Sequence, residues 1–169
     1  MKALFRALFV FVALLGAVTW AQSGSQHTEG ELLREITDLR AEAAHGKPIL
    51  VEFALASCPY CRVAEEEFLE PMIRSGAYED KVLIRKLIMG RNKIIDFDGR
   101  EVRAHDLAAR YGARLAPTVV VISPEGEQLS RPVVGLKTVD FYGGYLDRAI
   151  DEAVEAMAEQ GKAELAAAR

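Results

Sequence analysis

Two spacings of apolar residues run along this chain. Recurrence every three or four positions marks helices, and short apolar runs bounded by Gly and Pro mark strands. Leu32, Ile36, Leu39 and Ala43 keep the helical interval behind Thr28-Glu29-Gly30-Glu31, which has the spacing of a capping box. Gly46 and Pro48 stop that helix. Ile49 to Leu55 is apolar except for Glu52, the pattern of a strand buried on both faces. Pro59 opens a second helix, in which Val63, Ala64, Phe68, Met72 and Ile73 oppose the acids Glu65, Glu66, Glu67 and Glu70. Those acids read as a solvated face, and Pro71 is expected to kink or end the helix. Val82 to Met89 predicts another strand. Asp98-Gly99 predicts a small hairpin or an ordered loop, and Ala104 to Tyr111 a short helix closed by Gly112. Thr118 to Ser123 is a β-branched strand, Pro124-Glu125-Gly126 a turn, and Gln128 to Val134 a strand that Pro132 confines to a sheet edge. Thr138 caps a last helix packing through Phe141, Tyr145, Leu146, Ile150, Val154 and Met157, and the end after Glu159 is expected to fray. The order of these elements gives a parallel strand pair first and an antiparallel edge last. It predicts a three-layer α/β domain with a central mixed β-sheet flanked by helices.

The start of the chain follows a different logic. Lys2 and Arg6 precede an apolar run of 12 residues from Ala7 to Val18, and Thr19-Trp20-Ala21 ends it with small residues at positions suited to cleavage before Gln22. That is the layout of a secretory signal peptide, and the run is short against the roughly 20 residues of a spanning helix. The expectation is export to the bacterial periplasm with no stable membrane insertion after cleavage; the alternative is an uncleaved membrane anchor. The chain thus divides into a signal peptide at 1–21, a flexible lead at 22–30, a folded domain at 31–158 and a tail at 159–169.

Composition narrows the function. At 169 residues, 50% hydrophobic and 27% charged, the chain fits one globular domain. Its net charge of −4 becomes more negative once Lys2 and Arg6 are removed, which excludes a basic nucleic-acid-binding surface. Two cysteines are too few for a disulfide scaffold or a four-thiolate zinc site.

Those cysteines sit in Ser57-Cys58-Pro59-Tyr60-Cys61, where the buried strand turns into a helix. Two residues of separation on a first helical turn bring two sulfurs within bonding distance. Free N–H groups and the positive dipole end favour an anion at the first sulfur, so a thiol held there ionises more readily than a free one. Cys61, one turn in, is less exposed and better placed to resolve a mixed disulfide than to start one. Half of a zinc site would need two more ligands, and His27, His45 and His105 are scattered. A static disulfide over so short a loop would restrain the unfolded chain little.

At this point the chain resembles the thioredoxin superfamily. Ile49-Leu50-Val51-Glu52-Phe53 leading to Cys58-Pro59-Tyr60-Cys61 is similar to the family's first core strand and active-site helix. Leu115-Ala116-Pro117-Thr118 is similar to its cis-proline loop, and Val134-Gly135 to the glycine before its last helix. More narrowly, Asp96-Phe97-Asp98-Gly99 to Tyr111-Gly112 resembles exported thioredoxins linked to sulfur oxidation and cytochrome c maturation. The resemblance implies that Cys58 is the nucleophile and Cys61 the resolving cysteine of a redox-active disulfide, with no other cofactor and no metal. It implies that Pro117 is cis and faces the sulfurs, and that the Ala116 backbone pairs with an extended substrate segment. Glu52 stands where the family carries a buried acid; burial would raise its pKa and fit it to exchange protons with Cys61, whereas a pairing with Lys81, Arg85 or Lys86 would not.

Some residues depart from the family pattern. Ser57 replaces an aromatic residue, Arg62 a common lysine, and Pro59-Tyr60 is a glutaredoxin-like dipeptide without a recognisable glutathione site. Tyr60 is either a partner contact or a helix-surface residue. Asp96 and Asp98 resemble a calcium loop only faintly and read as turn residues. The expectation is an exported thiol–disulfide oxidoreductase that reduces protein disulfides and draws electrons from a membrane thiol donor. Its rivals are a Cu(I) metallochaperone, in which two soft thiolates hold the ion, and a non-catalytic thioredoxin-like interaction domain.

Overall fold

The structure is a computed structural model and describes residues 32–91 and 93–167. The predicted signal peptide and flexible lead, and with them the capping box at Thr28, lie outside the described residues. Four strands form the central sheet: β1 (Ile49–Ala54), β2 (Leu83–Ile88), β5 (Thr118–Ile122) and β6 (Val133–Val134), ordered β2-β1-β5-β6. β1 runs parallel to β2 and antiparallel to β5, and β6 closes antiparallel on β5. A separate hairpin pairs β3 (Ile94–Ile95) with β4 (Glu101–Val102). Its turn is built by Asp96, whose Oδ1 accepts from the N–H groups of Asp98 and Arg100 at 3.1 and 2.9 Å.

Alternation along β1 decides what each face meets. Ile49, Val51 and Phe53 join a core layer with Leu39 of α1 (Leu39–Ala43) and Leu107 of α4 (Ala104–Arg110). Leu50 points the other way, into a layer with Leu69 and Met72 of the second helical segment and Leu146 and Ile150 of the last helix. Every residue of β1 is buried, Glu52 included. Phe53 lies 6.1 Å from the Tyr111 ring and is wholly buried. Phe53→Ala should therefore lower unfolding free energy by about 3–5 kcal/mol, measured by denaturant titration.

The structure corrects several elements. Residues before Asp38 are extended, not helical: Ile36 N–H donates to the Lys86 carbonyl at 2.7 Å and Lys86 N–H to that of Arg34 at 3.0 Å. The open edge of β2 offers those backbone groups partners. Helix α1 starts where the Asp38 carboxylate accepts from the Ala41 N–H at 2.9 Å. Pro71 does not end its helix. α2 (Pro59–Ala64) passes through a π-turn at Glu65–Leu69 into α3 (Glu70–Ser75), and Glu70 N–H bonds to the Glu65 carbonyl. The wider turn lies immediately ahead of the proline, whose missing N–H it helps to accommodate. The strand predicted from Gln128 shrinks to an isolated bridge at Gln128 plus β6, with Pro132 between them. Helix α5 (Val139–Ala167) continues past Glu159, and its buried face keeps the predicted Leu146 and Ile150 but not the other predicted positions. Tyr142, Leu146, Ala149, Ile150 and Ala153 are buried, whereas Phe141, Tyr145 and Val154 are exposed.

Candidate active site

β1 carries the chain through the core and releases it at Ala54, so Cys58 arrives at the end of the sheet as the cap of α2. Its backbone is extended, its Sγ accepts from the Cys61 N–H at 3.1 Å, and Pro59 occupies the first helical turn, where a missing N–H leaves no bond unmade. A disulfide joins Cys58 to Cys61, with Cα atoms 5.2 Å apart. The sulfur-bearing residues differ in access. Cys58 is half-buried, whereas Cys61 is 1% exposed, on the buried face of α2.

Cys58 opens onto a cleft of about 520 Å³, whose opposite wall is made by Arg114, Leu115 and Ala116 and whose flank holds Met89 and His105. The Ala116–Pro117 peptide is cis. Around it, Thr118 Oγ1 donates to the Leu115 carbonyl at 2.7 Å, and Gly135 N–H to the Pro117 carbonyl at 2.8 Å. Gly135 has φ +69°, a left-handed conformation that a Cβ would strain. Pro117 itself is buried, and the Ala116 backbone bonds to no other described residue. Leu115 is left 65% exposed at the cleft rim, and Tyr60, also 65% exposed, lies beside the disulfide in sequence. Among the described residues no three metal-ligating side chains gather into a cluster, and no helix is long and apolar enough to cross a membrane.

Glu52 lies beneath this surface. It has no exposed area, and neither carboxylate oxygen has a hydrogen-bond partner among the described residues. Burial, reinforced by the charge of Glu65 and opposed by that of Lys86, raises its pKa from 4.5 to about 8. The cations weighed as partners are engaged elsewhere: Arg85 Nε holds Glu42 at 2.8 Å, Lys86 Nζ holds Glu65 at 2.9 Å, and Lys81 Nζ stands 3.9 Å from Asp151. Glu65 is thus no member of a solvated face; its side chain is only 18% exposed. On α5, the Tyr142 hydroxyl is likewise buried without a partner, and burial together with the charge of Glu52 raises its pKa.

The sequence placed Cys58, Cys61 and Ala116 in one site, and all three lie around the cleft or the disulfide at its edge. Pro117 and Gly135 support its wall through their mutual hydrogen bond. Sequence reasoning missed the cleft residues Met89, His105 and Arg114, which belong to three separate segments, and named Leu115 only as part of the proline loop. It also missed Glu65. The available signal was its position four residues after Cys61, on the same helix face, opposite a strand carrying Lys86.

A mixed sheet between helical layers, with a disulfide spanning the first turn of the helix that follows its central strand, defines a thioredoxin-like fold. Residues 37–150 match the family described as thioredoxin-like domain, and the chain belongs to that family. Among curated proteins, none matches its sequence. Solved structures similar to it include mitochondrial thioredoxin 3 of Saccharomyces cerevisiae in its oxidised form, 18% identical, with 68% of this chain and 94% of that one covered and a TM-score of 0.47. Another is the thioredoxin Mala s 13 of Malassezia sympodialis, 21% identical, with 72% of this chain and 93% of that one covered and a TM-score of 0.48.

Proposed function

We propose that this protein is an exported thiol–disulfide oxidoreductase that reduces protein disulfides. The unequal access of its two sulfurs carries the reading: one is open to a cleft at a helix start, and the other is shielded behind it. In the reduced protein, the Cys58 thiolate attacks one sulfur of a substrate disulfide. A Cys58–substrate bond forms, the substrate bond breaks, and the departing sulfur takes a proton. Cys61 then attacks Cys58, closing the protein disulfide and releasing the second substrate thiol. Two electrons and two protons pass from the dithiol to the substrate.

Each remaining residue has a part in this scheme. Ala116 presents its unused backbone groups to an extended substrate segment, and exposed Leu115 and Tyr60 offer apolar contact on either side. Glu52, as carboxylate, takes the proton of Cys61 when that sulfur attacks, and returns it when the disulfide is reduced again. Its carboxyl leaves the sheet on the face covered by the cysteine-bearing helix, because Glu52 alternates with Phe53 along β1. Export of the chain, as its first residues suggest, would require a membrane thiol donor to keep the dithiol reduced.

The test is reduction of insulin disulfides with a dithiol regenerating the protein. The full chain is expected to turn over, and Cys58→Ser to show no rate above the regenerant alone. Equal rates for the two would defeat the reading.

A further inference from the structure

One cation, Lys86, faces two carboxylates on the sheet face that the cysteine-bearing helix covers. Lys86 is directly opposite Glu52 in the parallel β1–β2 register, so both side chains leave the same sheet face. Its ammonium nevertheless hydrogen-bonds Glu65, at 2.9 Å, while both Glu52 oxygens are left unpartnered. Burial works against the Lys86 charge, but the Glu65 hydrogen bond and the charges of Glu65, Glu52 and Glu35 more than offset it, so the ammonium persists. Glu35 is itself held by Arg91 Nε at 2.6 Å. From α5, Tyr142 brings a neutral hydroxyl, and from α2 the disulfide brings no charge. Lys86 and Glu65 therefore neutralise each other. Glu52 is the odd group, and an unpaired charge in a buried site is strongly disfavoured.

We propose that Glu65 is a positioning residue of the redox site: by occupying the Lys86 ammonium it withholds that cation from Glu52 and leaves the buried acid basic enough to take the Cys61 proton. This role rests on the dithiol chemistry proposed above. A hydrogen-bonded ammonium on Glu52 would stabilise the carboxylate and make it a poor base for a thiol. Glu65 reaches Lys86 because it begins the π-turn four residues after Cys61, so one helix places both the resolving sulfur and the residue that tunes its base.

The test follows the Glu52 side-chain carbon by NMR through a pH titration of the oxidised full chain, beside the pH–rate profile of insulin reduction. In Glu65→Gln, which keeps the size of the side chain, Lys86 loses its carboxylate and turns to Glu52. The Glu52 midpoint is expected to fall by about 1–3 pH units. Above about pH 8, where Glu52 is a carboxylate in both proteins, turnover should fall roughly tenfold through kcat with KM unchanged, because the base is weakened while the cleft is untouched. Glu65→Asp, which keeps the charge, should restore both. In a Lys86→Met background, Glu65→Gln should leave the midpoint unmoved or only slightly lowered. A Glu52 midpoint that stays in place in Glu65→Gln, with normal wild-type turnover, overturns the role of Glu65 alone. Absence of wild-type turnover overturns the dithiol reading, and the positioning role with it.

Discussion

Replacing Glu52 with leucine should make the protein more stable in alkaline solution and remove much of the pH dependence of its stability. The carboxyl titrates near 4.5 in an unfolded chain and at about 8 in the folded one. Below the lower value both states are protonated and native stability is fully present. Between the two values the unfolded chain releases a proton that the folded protein retains, so stability falls as pH rises. Above the upper value the native state must hold an unpaired buried carboxylate, and the accumulated loss is roughly 4–5 kcal/mol. Glu52→Leu fills the same apolar layer without a charge. Its advantage over wild type should grow from pH 4.5 to about 8 and then level off, as read from denaturant titrations of the two oxidised proteins. Parallel profiles would show that Glu52 is not held as the structure describes.

The second large effect separates the two cysteines. Cys58→Ser removes the sulfur that faces the cleft, and the rate of disulfide reduction should fall by on the order of 10³ or more. Cys61→Ser keeps the attacking sulfur and removes the one that frees the product. It should lose turnover as completely, yet accumulate a stable Cys58–substrate disulfide visible by mass spectrometry of the intact adduct. The two losses are alike in rate and opposite in product. Adducts of equal yield on both variants would mean that burial of Cys61 does not divide the roles.

The fold was legible wherever local pattern and tertiary environment agree. Apart from Glu52 in β1 and Thr118 in β5, these two strands are apolar because helices cover both faces, and their sequences say so. The paired cysteines at a strand–helix junction and the proline before β5 were equally plain. Agreement failed where an element takes its conformation from a neighbour. Leu32 and Ile36 fit a helical interval, but the edge of β2 draws the backbone of Arg34 and Ile36 into pairing, and Leu33 and Ile36 enter opposite core layers. At the start of α5 the spacing points to Phe141, but Tyr142 takes the buried position because it packs edge-on against Phe68, 5.0 Å away. Glu65 carries the same lesson into the site. Among three successive acids, helix spacing from Cys61 points to Glu65, but the lysine it meets comes from a strand more distant in sequence.

That dependence on neighbours explains the economy of the site. A single strand delivers the buried acid and, at its end, the cysteine pair, and the helix that follows returns an acid to the cation of the next strand. Few residues are needed because sheet register fixes Glu52 against Lys86 and helix spacing fixes Glu65 after Cys61.

The most direct measurement is competitive alkylation of the fully reduced protein at neutral pH, with peptide mapping to assign the labelled sulfur. Cys58 should take the reagent first and almost alone, because it lies open at the helix start while Cys61 is covered. Labelling of Cys61 at an equal or greater rate would contradict the account.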